Sequence, residues 1–364
     1  MFETYKFNLR VLTPMHIGCG DAYEPFEFAV DMDSILVFDP EEFLGSLASD
    51  VKKEFSKTCE KGTLESIWEI YRFIRKMNHA DHFINANHYK EGKAKKRKVP
   101  ACSGFVEHYK VMMDNNRDLN RLEIKRTIYN PVNAKPYIPG SSLKGSLRTG
   151  HLNNLAKQKE IRNYPRARDL ENELLGGAFA SDPFSLVKVS DFRLIGEQMT
   201  RIWYCVNVKK NTNFKLGKGP YQIWETIRKG ALFSGEINLH KPRGSGIKSP
   251  ITKADLFKAS DLYKRLFDAE EVEMKRILPD YTAPDLDEYK SKFGKTAILM
   301  RVGGHSGAEA VTIEGNRKIK VKTGASKFET KDKSTTLWLA GESNKPQKDD
   351  DLVPFGWCVL ELIS

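Results

Sequence analysis

The segment 137–150 (YIPGSSLKGSLRTG) concentrates residue types that can bind an anion. Pro139 and Gly140 favour a turn, and Ser141 or Ser142 can cap a following helix by accepting a hydrogen bond from a free backbone N–H. The first N–H groups of a helix and its positive dipole end together attract phosphate. The segment therefore predicts a helix over 141–158 that begins at an anion site.

Two cations follow within this predicted helix. Lys144 and Arg148 are four residues apart and share one helix face, while Gly145 between them has no side chain and lets another backbone approach. The alternative is an ordinary capped surface helix in which the glycine makes a packing contact. The segment lacks the GxxxxGK[ST] pattern of a nucleotide-binding P-loop.

Two further segments contain glycines where a strand is predicted to end. In 301–307 (RVGGHSG), Gly303, Gly304 and Gly307 could bring backbone amides close to a phosphodiester, or form a tight turn. In 12–20 (LTPMHIGCG), His16 could contact a phosphate or act as a general acid or base, although a structural histidine is the commoner case.

Positive charge is concentrated in one part of the chain. The formal net charge is +11, and residues 90–162 carry 17 Lys/Arg against 6 Asp/Glu, whereas residues 1–50 carry 2 against 10. The run 92–100 (GKAKKRKVP), with Lys95, Lys96, Arg97 and Lys98, is expected to be an exposed loop. A basic block of this size indicates a polyanionic partner such as nucleic acid, and a solvated basic face is the alternative.

Hydrophobic periodicity predicts an α+β fold. Alternation at 5–13 predicts a strand, and Phe26–Phe38 predicts a hairpin around Asp31–Asp33. Residues 41–89 have a helical period, and Thr252 is expected to cap a helix over 253–278. Strands are also expected at 122–130, within 184–240, and at 296–302, 336–340 and 357–363, with loops at 241–250 and 323–335.

The composition narrows the class of protein. Five scattered cysteines fit a reducing cytoplasm, and the first residues show no signal peptide. No stretch approaches the ~18 apolar residues of a membrane span. We therefore expect a cytoplasmic protein with no membrane partner.

These motifs, in this order, resemble the RAMP superfamily of CRISPR proteins. The resemblance rests on LTPMHIGCG, YIPGSSLKGSLRTG and GGHSG and on the closing PFGWCVL (354–360). Within the superfamily, the set is most similar to the fifth subunit of the type III-A Csm effector complex. The family's glycine motif carries over to Gly140, Ser141, Ser142, Lys144, Gly145 and Arg148, and its C-terminal loop to Gly303, Gly304 and Gly307.

The resemblance implies two ferredoxin-like (RRM-like) domains, at 1–200 with a helical insertion at about 41–120 and at 201–364. It implies a non-enzymatic subunit, without cofactor or metal, that caps the 3′ part of the CRISPR RNA (crRNA) and supports its maturation and complex assembly. Implied partners are crRNA, the backbone RAMP subunits and the small helical subunit, and cellular trimming nucleases are further candidates.

Three other interpretations stay open at the level of sequence. His79, His82 and His88 with Cys102 could bind zinc, although CxxC and HExxH are absent. Some RAMP relatives cleave RNA, with His16, Asp21, Asp31 and Asp33 as the candidates here, so an endoribonuclease acting on crRNA precursor or target RNA is the runner-up. A different RAMP subunit and a protein-only adaptor are the remaining alternatives.

Overall fold

The computed structural model describes residues 2–79, 96–115, 121–177, 179–197, 199–210, 213–242, 246–247, 249–324 and 326–364. Strands and helices alternate along the chain, which confirms a mixed α/β structure. The strands are β1 (Phe2–Val11), β2 (Gly18–Tyr23), β3 (Phe28–Asp31), β4 (Ser34–Phe38), β5 (Lys96–Pro100), β6 (Ile124–Thr127), β7 (Tyr137–Ile138), β8 (Val187–Val189), β9 (Phe192–Ile195), β10 (Thr200–Lys209), β11 (Gln222–Ile227), β12 (Leu232–His240), β13 (Ala297–Arg301), β14 (Ile319–Lys322), β15 (Phe328–Lys331), β16 (Thr336–Gly341), β17 (Val353–Pro354) and β18 (Trp357–Leu362). The helices are α1 (Pro40–Ser46), α2 (Ser49–Glu60), α3 (Leu64–His79), α4 (Ser103–Asn115), α5 (Gly140–Gln158), α6 (Ala167–Leu175), α7 (Lys253–Lys258), α8 (Ser260–Ile277) and α9 (Asp287–Lys290).

The first large sheet has the strand order β13-β18-β1-β12-β9-β7, with β8 also paired to β12. Its pairs are antiparallel, and β1 lies between β12 and β18. Alternate residues of β1, namely Phe7, Leu9 and Val11, point into a core that also contains apolar residues of α5 and α7. The strand that the 2-residue alternation predicted at 5–13 is thereby confirmed.

The second large sheet has the order β17-β16-β10-β11-β6-β2, in which β11 and β6 are parallel. One face packs on the largest buried cluster, together with apolar residues of α3, α4 and α8. The other face carries Cys205, Trp224 and Ala340, which pack with Phe355. Residues 12–17, between β1 and β2, connect the two sheets through a bridge from Met15 to Ile227.

A smaller sheet of β3, β4 and β5 is surrounded by helices in the 41–115 region. Its strands β3 and β4 form a hairpin that closes at the pair Asp31–Ser34, which confirms the hairpin predicted over Phe26–Phe38. The expectation of a loop over 92–100 is wrong for residues 96–100, which form β5 along β4. These residues form a strand because buried and exposed side chains alternate along them: Val99 is fully buried and Lys98 is exposed. Pairing with β4 provides hydrogen-bond partners for the backbone.

The predicted helix over 253–278 is two helices, α7 and α8, joined at Ala259. Thr252 caps α7 as expected, in a reciprocal capping box with Asp255. Within 323–335, which was expected to be a loop, β15 pairs with β14 in a separate ribbon. The two large sheets each take strands from both sides of residue 200, while the domain division at that residue stays a prediction. In the part of the chain that the structure describes, no helix has the length and apolarity needed to cross a membrane.

Candidate nucleic-acid interface

Helix α5 begins one residue earlier than predicted, and its first N–H is already used. The expectation of a serine cap is wrong: Pro139 is the N-cap residue, and the Gly140 N–H donates to Oδ1 of Asp191 at 2.9 Å. A Cβ at Gly140 would lie 2.1 Å from the carbonyl oxygen of Val189. Gly140 is therefore a packing residue, and Ser141 is exposed and Ser142 half-buried beside it.

The other two glycines of α5 differ in their surroundings. A Cβ at Gly150 would lie 2.6 Å from the carbonyl oxygen of Ala259, so the fold requires glycine there. Gly145 is exposed, and apart from its chain neighbours and the backbone of its own helix, no described atom lies within 4 Å of the position that its Cβ would take. A glycine inside a helix costs about 0.5–1 kcal/mol relative to alanine. Nothing that packs against Gly145 in the described structure accounts for this cost.

Lys144 lies beside Gly145 in a cationic environment. Its ammonium group is partly desolvated, and this burial lowers the pKa of Lys144, with the nearby Lys188 and Arg148 contributing in the same direction. Asp182 acts in the opposite direction. A phosphate beside this ammonium group would favour its charged form and so oppose both the burial and the two neighbouring cations.

Arg148 is held by the protein itself. Its guanidinium donates to Asp182 at 2.6 Å and to Glu171 at 2.9 Å, and thus joins α5 to α6 and to the 3-10 turn before β8. Its side chain is 25% exposed. A phosphate would have to compete with two carboxylates for this guanidinium. The main role of Arg148 in this structure is therefore to hold α5, α6 and the turn before β8 together.

His16 and two glycines of the 301–307 segment form an internal contact. The Gly304 N–H donates to the His16 carbonyl oxygen at 2.8 Å. A Cβ at Gly303, whose φ is +95°, would lie 2.4 Å from that same oxygen, and a Cβ at Gly304 would lie 2.7 Å from the ring of Trp224. His16 is only 5% exposed, and its Nδ1 bonds the carbonyl oxygen of Glu225 at 2.7 Å. The burial of His16 does not fit its assignment to a direct RNA contact. Gly303 and Gly304 are half-buried, and their assignment to RNA binding stays a prediction.

Four aromatic rings, of His16, Trp224, His305 and Trp338, pack in a column next to this contact. His16 packs on Trp224 in a tilted arrangement with 4.2 Å between ring centroids. His305 stacks between Trp224 and Trp338, with centroid distances of 3.8 Å and 4.3 Å. Burial is the main cause that lowers the pKa of His305 to about 3, with His16 and Lys125 adding to it. His305 is therefore a neutral ring at pH 7. Gly307 follows with φ +83°, and a Cβ there would make ordinary contacts, 3.5 Å from Oε2 of Glu309 and 3.8 Å from the Arg301 guanidinium.

The basic run is divided by the strand that it forms. Lys95 lies outside the described residues, and of Lys96 only the backbone is described, in β5. Arg97 is 3% exposed and is ion-paired with the equally buried Glu225, so its assignment to an RNA contact is wrong for this structure. Burial opposes its charge, but Glu225 and Tyr23 outweigh this effect and raise the pKa of Arg97. Lys98 is exposed, 3.9 Å from Asp31.

The structure brings the glycine motifs together. The Ser146 hydroxyl in α5 donates to the Arg301 carbonyl oxygen at 3.0 Å, directly before the Gly303–Gly304 turn. Segments about 290 residues apart in sequence are thus consecutive in space, from His16 to the 303–304 turn to α5. Lys188, which lies near Lys144, was not identified as a site residue from the sequence because it is a single lysine in a predicted strand. The ribbon residues 317–333, with seven Lys/Arg against two Asp/Glu, could have been recognised by counting charges.

The candidates for other chemistry are dispersed. Asp31 and Asp33 lie in the β3–β4 turn, where Asp33 accepts a hydrogen bond from Ser34 at 2.8 Å, and Asp21 pairs with Arg126. The histidines proposed for zinc lie outside the described side chains. Among the side chains that are described, no group of three or more His, Cys, Asp or Glu could hold a metal ion.

Comparison with known families gives the class of protein. A family model described as the RAMP superfamily matches residues 8–281, which is most of the chain. The chain belongs to the RAMP superfamily.

The particular relatives come from CRISPR systems. The CRISPR system Cms protein Csm5 of Streptococcus thermophilus is 25% identical over 202 residues, which covers 52% of this chain and 52% of the relative. The alignment thus spans about half of that protein. A chain of the cryo-EM structure of a Csm–crRNA–target RNA ternary complex in a type III-A CRISPR-Cas system superposes with a TM-score of 0.63 at 20% identity, over 99% of this chain and 100% of the other. The crystal structure of Csm5 from T. onnurineus superposes with a TM-score of 0.55 at 18% identity, over 97% and 99%. The two superpositions show a shared fold.

Proposed function

We propose that this protein is an RNA-binding subunit of a type III-A Csm complex, and that it holds the 3′ part of the crRNA. The similarity to Csm5 and the fold shared with a chain of a Csm–crRNA–target RNA complex support this role. The partners would then be crRNA, the backbone RAMP subunits and the small helical subunit, with trimming nucleases as transient partners.

The observation that best supports the proposal is the open surface at Gly145. This residue is an exposed glycine inside a 19-residue helix, and the described fold leaves the space above it open. A sugar-phosphate backbone could approach the helix closely at this point, with Lys144 on one side and Lys188 near it. Contacts of this kind read phosphate and not sequence, so we expect affinity that is strongly salt-dependent and weakly sequence-dependent.

We propose a ferredoxin-like unit as the framework for this surface. The strands β18-β1-β12-β9 are adjacent and antiparallel, and α5 and α8 occupy the two crossovers. In chain order this is β1-α5-β9-β12-α8-β18, the ferredoxin-like arrangement. The second ferredoxin-like domain remains part of the proposal, carried by the resemblance alone.

We also propose that the subunit does not cleave RNA. His16, the best candidate for a general base, is buried with Nδ1 on a backbone carbonyl and its ring against Trp224. Incubation with labelled crRNA and complementary RNA, with Mg²⁺ or Mn²⁺, is expected to leave both intact. Cleavage that His16→Ala or Asp33→Ala abolishes would instead establish the endoribonuclease alternative.

Photocrosslinking tests the proposed site. Complexes are assembled with crRNAs that carry 4-thiouridine either in the 3′ part or in the 5′ part, irradiated, and digested for mass spectrometry. Crosslinks from the 3′ part to peptides containing residues 141–148 are expected. Crosslinks from the 5′ part alone would indicate a different RAMP subunit, and crosslinks only to other subunits would indicate a protein adaptor.

A further inference from the structure

A cavity lies beside His305 and Trp338, the last two rings of the column. It is lined by residues of α8, of the 307–310 turn and of the strand β16. Its volume is about 450 Å³, within the range of small-ligand sites. Leu262, Leu266 and Ala308 provide an apolar lining, and His305 and Trp338 border it with the last two rings of the column. The cavity therefore offers an apolar and aromatic surface to a planar group.

Two buried polar atoms in residues that line this cavity have no partner among the described residues. They are Nε2 of His305 and Nε of Arg317. Buried polar atoms are nearly always hydrogen-bonded, so each such exception calls for a ligand or a water molecule. His305 also has a φ of 57°, which is uncommon for a residue other than glycine and is often found at functional sites.

Charge in the cavity is balanced and not uniformly positive. Lys210 is 3.1 Å from Glu309, and Arg265 is 3.0 Å from Glu314. Burial alone would raise the pKa of Glu309, but Lys210 and Ser334 outweigh it and lower that pKa to about 2, so this carboxylate remains charged. A phosphate would meet these carboxylates, whereas an uncharged ring with both donors and acceptors would not be repelled.

The rim of the cavity continues into a basic ribbon. Arg317 and Lys333 line the cavity, and the β14–β15 ribbon between them is largely exposed. The segment 317–333 has a balance of seven Lys/Arg to two Asp/Glu, and Phe328 on it is 63% exposed. A polyanion along the ribbon would pass directly beside the cavity mouth.

We propose that this cavity takes one unstacked nucleobase of single-stranded RNA, while the ribbon's lysines neutralise the neighbouring phosphates. The inference rests on the proposed RNA-binding function and adds a base-binding subsite to it. The base would pack on the apolar lining and bond the free ring nitrogen of His305 and the Nε–H of Arg317.

Filling the cavity mouth tests the proposal. Ala269 is exposed on α8 and lines the cavity, so Ala269→Phe would obstruct the cavity mouth from an exposed position. Val272→Phe is the matched control, because Val272 is 73% exposed on the same helix and lies outside the cavity lining. Equilibrium affinity of the full chain is measured for single-stranded crRNA and for a series with one abasic nucleotide at each position.

For the wild-type protein, one abasic position should weaken binding about tenfold, as expected when a stacked base is lost. Ala269→Phe should bind intact RNA about tenfold more weakly, lose its sensitivity to that position, and keep the wild-type salt slope, because no phosphate contact is removed. Val272→Phe should match the wild type.

Equal tolerance of every abasic position, or unchanged binding by Ala269→Phe, would overturn the cavity proposal while RNA binding itself stands. If Ala269→Phe instead loses only its assembly with purified neighbouring subunits, the occupant is a protein side chain and the proposal is wrong. Failure of the wild-type chain to bind RNA at low salt would overturn the proposed function and this subsite together.

Discussion

Replacing Gly145 by alanine should have opposite effects on the stability of the protein and on its affinity for RNA. The new Cβ meets no described atom within 4 Å beyond its chain neighbours and its own helix backbone, so the helix gains the ~0.5–1 kcal/mol that separates alanine from glycine. For a chain of this size, such a gain raises the Tm by roughly 1 °C. An RNA backbone packed on Gly145 would meanwhile be pushed outward, and overpacking by one to a few carbons costs about 1–3 kcal/mol.

The expected pattern is therefore a slightly more stable protein that binds crRNA more weakly, by about fivefold for Gly145→Ala and by up to ~150-fold for Gly145→Leu. Thermal melting and crRNA affinity are measured on the same samples. Gly45→Ala is the matched control, because Gly45 is also an exposed helical glycine with open space around it, but lies in α1. It should leave the affinity unchanged. Gly145 variants that melt as expected and bind RNA like the wild type would refute the assignment of this surface.

Three further predictions concern the framework. Arg148→Ala should lower the free energy of unfolding by about 1–2 kcal/mol, because it leaves two carboxylates without their shared partner. An unchanged denaturant midpoint would show that these two ion pairs do not stabilise the fold. Gly304→Ala should cost about 1–3 kcal/mol, since its Cβ would lie 2.7 Å from Trp224, and a variant as stable as the wild type would show that this contact yields easily. His305 has a folded-state pKa of about 3 against its usual 6.5, so the unfolded chain binds the proton first and stability is lost as pH falls below about 6.5. Between pH 7 and pH 5 His305 should account for about 2 kcal/mol of this loss, so His305→Phe should lose about 2 kcal/mol less than the wild type, as measured by denaturant unfolding at both pH values. His16 and His151, whose pKa values burial also lowers, contribute in both proteins.

The elements that could be located from the sequence are those marked by a local pattern, either a hydrophobic periodicity from one buried face or a capping residue. The alternation in β1, the β3–β4 hairpin and the cap at Thr252 are local patterns, and the structure contains each of them. The pairing of β1 with both β12 and β18 joins segments more than 200 residues apart. No local pattern encodes such a pairing, because it depends on which buried faces pack together.

The candidate site shows the same limit at the level of single residues. The residue types were recognised in segments 12–20, 137–150 and 301–307, but type does not distinguish a glycine that faces solvent from one that faces a carbonyl group. Gly145 and Gly303 look alike in sequence, yet one is open and the other touches His16. Arg97 was likewise counted as surface charge because its buried partner, Glu225, is 128 residues away.

The salt dependence of crRNA affinity tests the central claim most directly. Lys144→Ala removes one proposed phosphate contact, and Lys157→Ala removes an exposed lysine about 20 Å away on the same helix. Affinity is measured at several salt concentrations for the wild type and both variants. We expect a steep wild-type slope of log affinity against log salt, a slope reduced by about one in Lys144→Ala, and the wild-type slope in Lys157→Ala. A wild-type affinity that does not change with salt, or identical slopes for all three proteins, would contradict phosphate binding at the start of α5.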